Sequence, residues 1–168
     1  MHPSWPPRPP VRPPLTAATV SFRNIFRDPR WGRGEETPGE DPTINGEYAT
    51  AFVTGMQGDQ SSGYLKVSSC LKHYAVYSQE TSRMSFPAMV NEQDMEDTYL
   101  PAFQAGVEKG NASSMMCSYN AESTGEGIFG KGAQGGAIPS CANKGLLNDL
   151  ARAKWGFDGY ITSDCGGK

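Results

Sequence analysis

The feature that most constrains this chain is an alternation. Three short β-prone runs, "LKVSSCL" (65–71), "ASSMMCSY" (112–119) and "GYITS" (159–163), are separated by stretches of helical periodicity, with no hairpin signal between them. Strands linked in that way return parallel to one another through right-handed crossovers. The expected fold class is therefore α/β with parallel strands. Of the intervening helices, "NEQDMEDTYLPAFQAGVEKG" (91–110) opens on Asn91 as N-cap with acids in its first turns, and Pro101 is expected to kink it. "NKGLLNDLARAKWG" (143–156) runs from an Asn143 cap to Gly156. Before the first strand, "GEYATAFVTGMQ" (46–57) places Tyr48, Phe52, Val53 and Met56 on one helical face.

At 168 residues the chain is one domain or a piece of one. Residues 2–14 hold more than half of its 13 prolines, interleaved with Arg8 and Arg12. We read 1–20 as a Pro-rich disordered leader and 21–168 as the folded part. A groove ligand of the SH3 type is the other reading of "RPPVRPP", and short Pro-rich runs favour the leader. The net charge of -3 and pI near 5.4 leave no basic footprint for nucleic acid. No window reaches the roughly 20 apolar residues of a membrane span, and the N-terminus lacks the apolar core of a secretory signal. Cys70, Cys117, Cys141 and Cys165 form no C-x-x-C pair, so redox state stays open, and with His73 they match no common zinc spacing.

In parallel sheets the functional groups gather beyond the carboxyl ends of the strands. Lys72 and His73 follow the first run, Tyr119 and Asn120 the second, and Ser163 and Asp164 the third. Hydroxyl, cationic and imidazole donors around a carboxylate suit a polyhydroxylated, sugar-like ligand. Upstream, "RDPRWGRGEETPGEDP" (27–42) is too rich in Gly and Pro for regular structure and reads as a long ordered loop. Asp164 by pattern alone is either the N-cap of a following helix or a catalytic carboxylate held on a strand end.

The residues become specific when taken in order. "NIFRDPRWGRGEETPGEDP", "CLKHY", "EQDMEDTYLPAFQAGV", "MMCSYNA", "PSCANKGLL" and "WGFDGYITSDCG" together resemble the N-terminal barrel domain of family 3 glycoside hydrolases, most closely its β-xylosidase/α-L-arabinofuranosidase-like branch. The resemblance implies a partial (β/α)8 TIM-barrel-like fragment and a retaining, exo-acting O-glycosyl hydrolase. Its substrates would be xylo-oligosaccharides or related plant cell-wall glycosides, outside the cell or in its wall. A β-glucosidase of the same family, or a truncated sugar-binding protein without catalysis, is the alternative.

By position in the motifs, Asp164 would be the nucleophile. Arg33, Lys72, His73 and Tyr119 would bind the glycone or flank the nucleophile, and Glu36 would orient Arg33. No metal or organic cofactor is implied, since two carboxyl groups suffice for the chemistry. The second, a glutamate acid/base, comes in this family from the domain after the barrel. The missing barrel strands and that domain are thus the implied partners. Between "CSYNA" and "PSCAN" the run 122–138 intrudes on the family pattern, and we expect it to be mobile at the mouth of the site.

Overall fold

The computed structural model describes residues 19–124 and 136–166, so residues 1–18 of the 1–20 leader and most of the 122–138 insertion lie outside the described residues. Four strands, β1 (Thr19–Phe22), β2 (Ser69–Tyr74), β4 (Ser114–Cys117) and β7 (Tyr160–Ser163), form one parallel sheet in the order β1-β2-β4-β7. Its register pairs Phe22 with Lys72, Tyr74 with Cys117, and Cys117 with Ser163, so all four carboxyl ends emerge on one edge. Each strand lies beside the one before it without reversal. A doubly wound sheet reverses direction at a switch point, whereas barrel staves step one way, as these do. The α/β expectation of a partial (β/α)8 TIM-barrel-like fragment holds.

Strand β1 was not expected, and Thr19 and Val20, read as the end of the leader, lie in it because they pair with Ser69 and Cys70; the first expected strand, 65–71, is β2. It starts later and runs on to Tyr74, so Lys72 and His73 stand on β2 itself rather than in the loop beyond it. A second, small sheet was not expected. Here β3 (Pro87–Met89) pairs parallel with β5 (Ala121–Ser123), which pairs antiparallel with β6 (Ile138–Pro139). The two described ends of the insertion are therefore paired with each other. A Cys117–Cys141 disulfide spans the same segment, with a sequence separation of 24. Closing a loop of that length is worth about 3 kcal/mol by chain entropy. Cys141→Ser is expected to lower unfolding stability by about that amount, read as the free energy extrapolated to water from denaturant unfolding, with m fitted separately for each chain.

Helix α1 (Pro42–Gln57) begins four residues earlier than its periodicity indicated, because Asp41 accepts from the Ile44 amide and Pro42 sits in the first turn. Its buried face is also corrected. Asn45, Gly46, Ala49, Val53 and Gln57 face inward, while Tyr48 is half exposed. The reason is close approach: a Cβ on Gly46 would come within 3.2 Å of Ala105 Cβ, so small residues let α1 lie against α3 (Pro101–Glu108). Tyr48 and Phe52 instead cover the buried Arg23 guanidinium, whose Cζ lies 5.0 and 5.4 Å from their ring centroids.

The expected 91–110 helix is interrupted as Pro101 requires. A short α2 (Glu92–Asp94), capped by Asn91, widens into a π-type turn, and Pro101 opens α3. Helix α4 (Gly145–Lys154) is of π type; the Asn143 side chain accepts from Leu146 N at its start, and Gly156 follows its end at φ 75°. The core lies between the sheet and these helices. Leu71, Tyr74 and Met115 meet Val53, Phe103, Val107, Leu146, Leu150, Trp155 and Phe157 there, all nearly inaccessible to solvent. No helix among the described residues is long and apolar enough to cross a membrane.

Candidate active site

The carboxyl edge of the sheet brings His73, Lys72 and Tyr119 to Asp164, and Arg33 with Glu36 to Lys72. Asp164 directly follows β7, and its amide donates to the Cys117 carbonyl at 3.2 Å, which continues the β4–β7 ladder by one bond. Its Oδ1 accepts from Cys165 N at 3.0 Å, and its Oδ2 lies 3.2 Å from His73 Nε2. Only 14% of its side chain is exposed.

His73 is 1% exposed. Burial, with Lys72, Arg33 and Arg83 adding to it, drives its pKa down to about 2. At neutral pH its contact with Asp164 is thus a neutral imidazole beside a carboxylate, not an ion pair. The backbone of His73 is clamped by Asn24, whose Nδ2 donates to the His73 carbonyl and whose Oδ1 accepts its amide, both at 2.8 Å. A buried histidine that cannot take a proton costs stability in acid. The unfolded chain binds a proton below its pKa of about 6.5 and the folded chain does not, so this contribution is present above pH 6.5 and is lost as pH falls toward 2. The His73 ring resonances are expected not to titrate between pH 5 and 8, a point that two-dimensional NMR checks directly.

Arg33 is held by Glu36 through two bonds, Nε to Oε1 at 2.8 Å and Nη2 to Oε2 at 3.3 Å. Burial alone would weaken the Arg33 charge, but hydrogen bonds to Glu36 and Tyr77 outweigh it and raise its pKa. Lys72 is shifted down, by burial first and Arg33 second, with Glu36 and Asp164 opposing. Tyr119 donates its hydroxyl to the Cys165 carbonyl at 2.7 Å. Its own pKa is raised by burial and by the neighbouring Asp164.

Sequence reasoning missed the second ring. Tyr77 is fully buried; its hydroxyl donates to Glu80 Oε2 at 2.9 Å, and Arg83 Nη1 donates to Glu80 Oε1 at 2.8 Å. Arg83 then lies over the Tyr119 ring, 5.3 Å from its centroid. Trp31 and Tyr77, packed with Phe26, Phe86 and Tyr119, form an aromatic wall on this edge. The available signal was the Glu80/Arg83 pair at i,i+3 next to "KHY". Among the described residues no cluster of His, Cys, Asp and Glu could hold a metal ion. A groove of about 260 Å³ on the helical layer, lined by residues such as Glu96, Gln104 and Trp155, shares no residue with this rim.

A parallel sheet whose carboxyl edge carries a carboxylate among cations, an imidazole and aromatics gathers its polar groups where barrel folds place their active sites. The chain belongs to the glycosyl hydrolase family 3 N-terminal domain family, which matches residues 22–167. A probable β-D-xylosidase 7 of Arabidopsis thaliana is 45% identical over 152 residues, covering 84% of this chain and 18% of the relative. A β-xylosidase/α-L-arabinofuranosidase 2 of Medicago sativa subsp. varia is 47% identical over 148 residues, covering 84% of this chain and 17% of the relative. Among solved structures, a GH3 exo-β-xylosidase (XlnD) in complex with a xylobiose aziridine activity-based probe matches with TM-score 0.76 and 36% identity, covering 87% of this chain and 18% of the other. The β-glucosidase 3B of Thermotoga neapolitana in complex with glucose matches with TM-score 0.70 and 33% identity, covering 86% and 18%. The chain thus spans less than a fifth of the length of these relatives.

Proposed function

We propose that the chain is the nucleophile-bearing part of a retaining, exo-acting β-xylosidase-like O-glycosyl hydrolase, acting on xylo-oligosaccharides or related plant cell-wall glycosides. The observation that carries this reading is the setting of Asp164, fixed at a strand end with a neutral His73 at 3.2 Å and within electrostatic reach of Lys72. The Asp164 carboxylate attacks the anomeric carbon as the glycosidic C–O bond breaks and the departing oxygen takes a proton from an acid. Water then hydrolyses the resulting ester, with the same second group as base, and configuration is retained. Lys72, with Arg33 beside it, donates to glycone hydroxyls. Glu36 orients Arg33, and Tyr119 flanks the nucleophile.

The acid/base is a glutamate from the stretch of the relatives that this chain does not span, and the remaining barrel strands come from there as well. Placement outside the cell or in its wall is supported by the Cys117–Cys141 disulfide, which persists in oxidising compartments. Similarity to named β-xylosidases favours xylose over glucose. The likeness to a β-glucosidase structure keeps glucose as the second reading.

The test uses a dinitrophenyl 2-deoxy-2-fluoro-xyloside, whose leaving group departs without protonation and so needs no general acid. The expected result is one fluoroxylosyl group on the peptide carrying Asp164, formed faster than with the glucose analogue. Faster labelling by the glucose analogue would move the reading to a β-glucosidase. Binding of xylose without labelling would make the chain a non-catalytic sugar-binding protein. Ordinary xylosides, which need the acid, should turn over ~10²–10⁴-fold more slowly than in a complete glycosidase.

A further inference from the structure

Beneath the turn that carries Tyr119 lies a buried polar cluster with no part in the chemistry above. Ser118 and Asn120 after β4, Glu122 on β5, and Ser140 and Asn143 beyond β6 are all at most 2% exposed. Ser118 Oγ lies 3.0 Å from the Ala75 carbonyl and 2.8 Å from Ser140 Oγ. Ser140 Oγ lies 2.7 Å from the Asn120 carbonyl and also contacts Glu122 Oε2. Each of these four oxygen–oxygen contacts needs one hydrogen, carbonyls supply none, and the two serines supply two. An ionised Glu122 would leave two contacts without a hydrogen. A protonated Glu122 donates to Ser140 Oγ, which lets Ser140 donate to Asn120 O while Ser118 donates to Ala75 O, so that only the Ser118–Ser140 contact is left without a hydrogen. Its Oε1 still accepts from Asn143 Nδ2 at 3.2 Å.

The same network anchors both neighbours of Tyr119. Asn120 O also takes the Ser140 amide at 3.1 Å, and Asn120 Nδ2 donates to Ala75 O at 3.1 Å. We propose that Glu122 is a positioning residue held as the carboxylic acid, whose hydrogen bond to Ser140 frees the Ser140 hydroxyl to lock the Ser118–Asn120 turn that sets Tyr119 against the Cys165 carbonyl beside Asp164. Burial acts in the same direction and pushes Glu122 up to about 8, against the hydrogen bonds from Ser140 and Asn143. The titratable group facing it from the sheet is Tyr74 on β2, itself kept neutral by burial; Ser140 and Asn143 face it from beyond β6 and do not titrate. Between pH 4.5 and about 8 the folded chain holds a proton that the unfolded chain has released. Stability from this site is therefore full below pH 4.5 and is lost as pH rises through about 8.

The inference rests on reading Asp164 and Tyr119 as the catalytic rim, but its test uses no glycoside, so the two fail separately. Infrared spectra of the whole chain in D2O near pH 6, where ordinary carboxylates are ionised, should show the C=O stretch of a neutral carboxylic acid. That band should fade as pH passes about 8 and be absent in Glu122→Gln. The backbone amide NMR signals of Ser118, Tyr119, Asn120 and Cys165 should shift together over the same range, and stay at their low-pH positions in Glu122→Gln. A wild-type chain with no neutral-acid band near pH 6 overturns the proposal, whether or not the variant folds. So does a band whose loss leaves the turn amides unmoved, or a turn titration that survives in Glu122→Gln.

Discussion

Asp164→Asn should abolish covalent labelling by the activated fluoro-xyloside, with a rate loss on the order of 10⁵-fold, the lower end of the advantage that positioning gives an attacking group. The amide keeps the shape of the carboxylate, so the bond from its backbone to Cys117 O and the turn to Cys165 N remain available. What it loses is the anionic lone pair that forms the ester. Circular dichroism and the thermal midpoint should stay close to those of the parent, which separates lost chemistry from lost fold. Asp164→Glu keeps the charge but moves it by one methylene, and a misplacement of about 1 Å costs roughly 10²-fold. Labelling of Asp164→Asn at the parent rate would place the nucleophile elsewhere.

Gly159→Ala should cost about 3 kcal/mol, the upper end of ordinary overpacking. A Cβ built there would stand 2.3 Å from the Ser113 carbonyl oxygen and 2.7 Å from its carbon, both main-chain atoms. That carbonyl accepts the Tyr160 amide at 3.2 Å, the bond that starts the β4–β7 ladder. Since β4 is held by β2 on its other side, β7 must give way, and Asp164 moves with it. Denaturant midpoints should show the loss, and labelling should slow alongside. Gly55→Ala is the control: nothing lies within 4 Å of its built Cβ, it sits inside α1, and it should stabilise by roughly 0.5–1 kcal/mol. A Gly159→Ala chain as stable as the parent would mean that β7 is not seated on β4 as described.

Much of this arrangement was legible because it is written in local pattern. β-prone runs separated by helical stretches specify parallel strands, and parallel strands specify which ends face the site. The place of Asp164, at the end of "YITS", followed from that rule, while its expected role came from the family resemblance. The Glu36–Arg33 pair was legible only through the family resemblance of its loop, and the short helical turn that brings the two side chains together is a finding of the structure. The inward face of α1 was not legible. Tyr48 and Phe52 are apolar by type, but Gly46 and Ala49 won the interface because two helices approach most closely over small residues. The extent of β2 was missed because "LKVSSCL" and "KHY" form one strand only when β1 and β4 supply partners on both sides. Tyr77, Glu80 and Arg83 were missed because their roles exist only once Tyr119 is brought against them from 36 or more residues away.

The sequence by itself determined the parallel order of the strands, the edge on which chemistry gathers, and the residue types available there, since periodicity and turn residues act over a few positions of the chain. Only the tertiary structure decided that His73 is neutral, that Cys117 joins Cys141, and that Glu122 meets Ser140 in a network short of hydrogens. Those facts depend on burial and on contacts between segments distant in sequence. A protonation state is set by what surrounds a side chain, which local pattern does not encode.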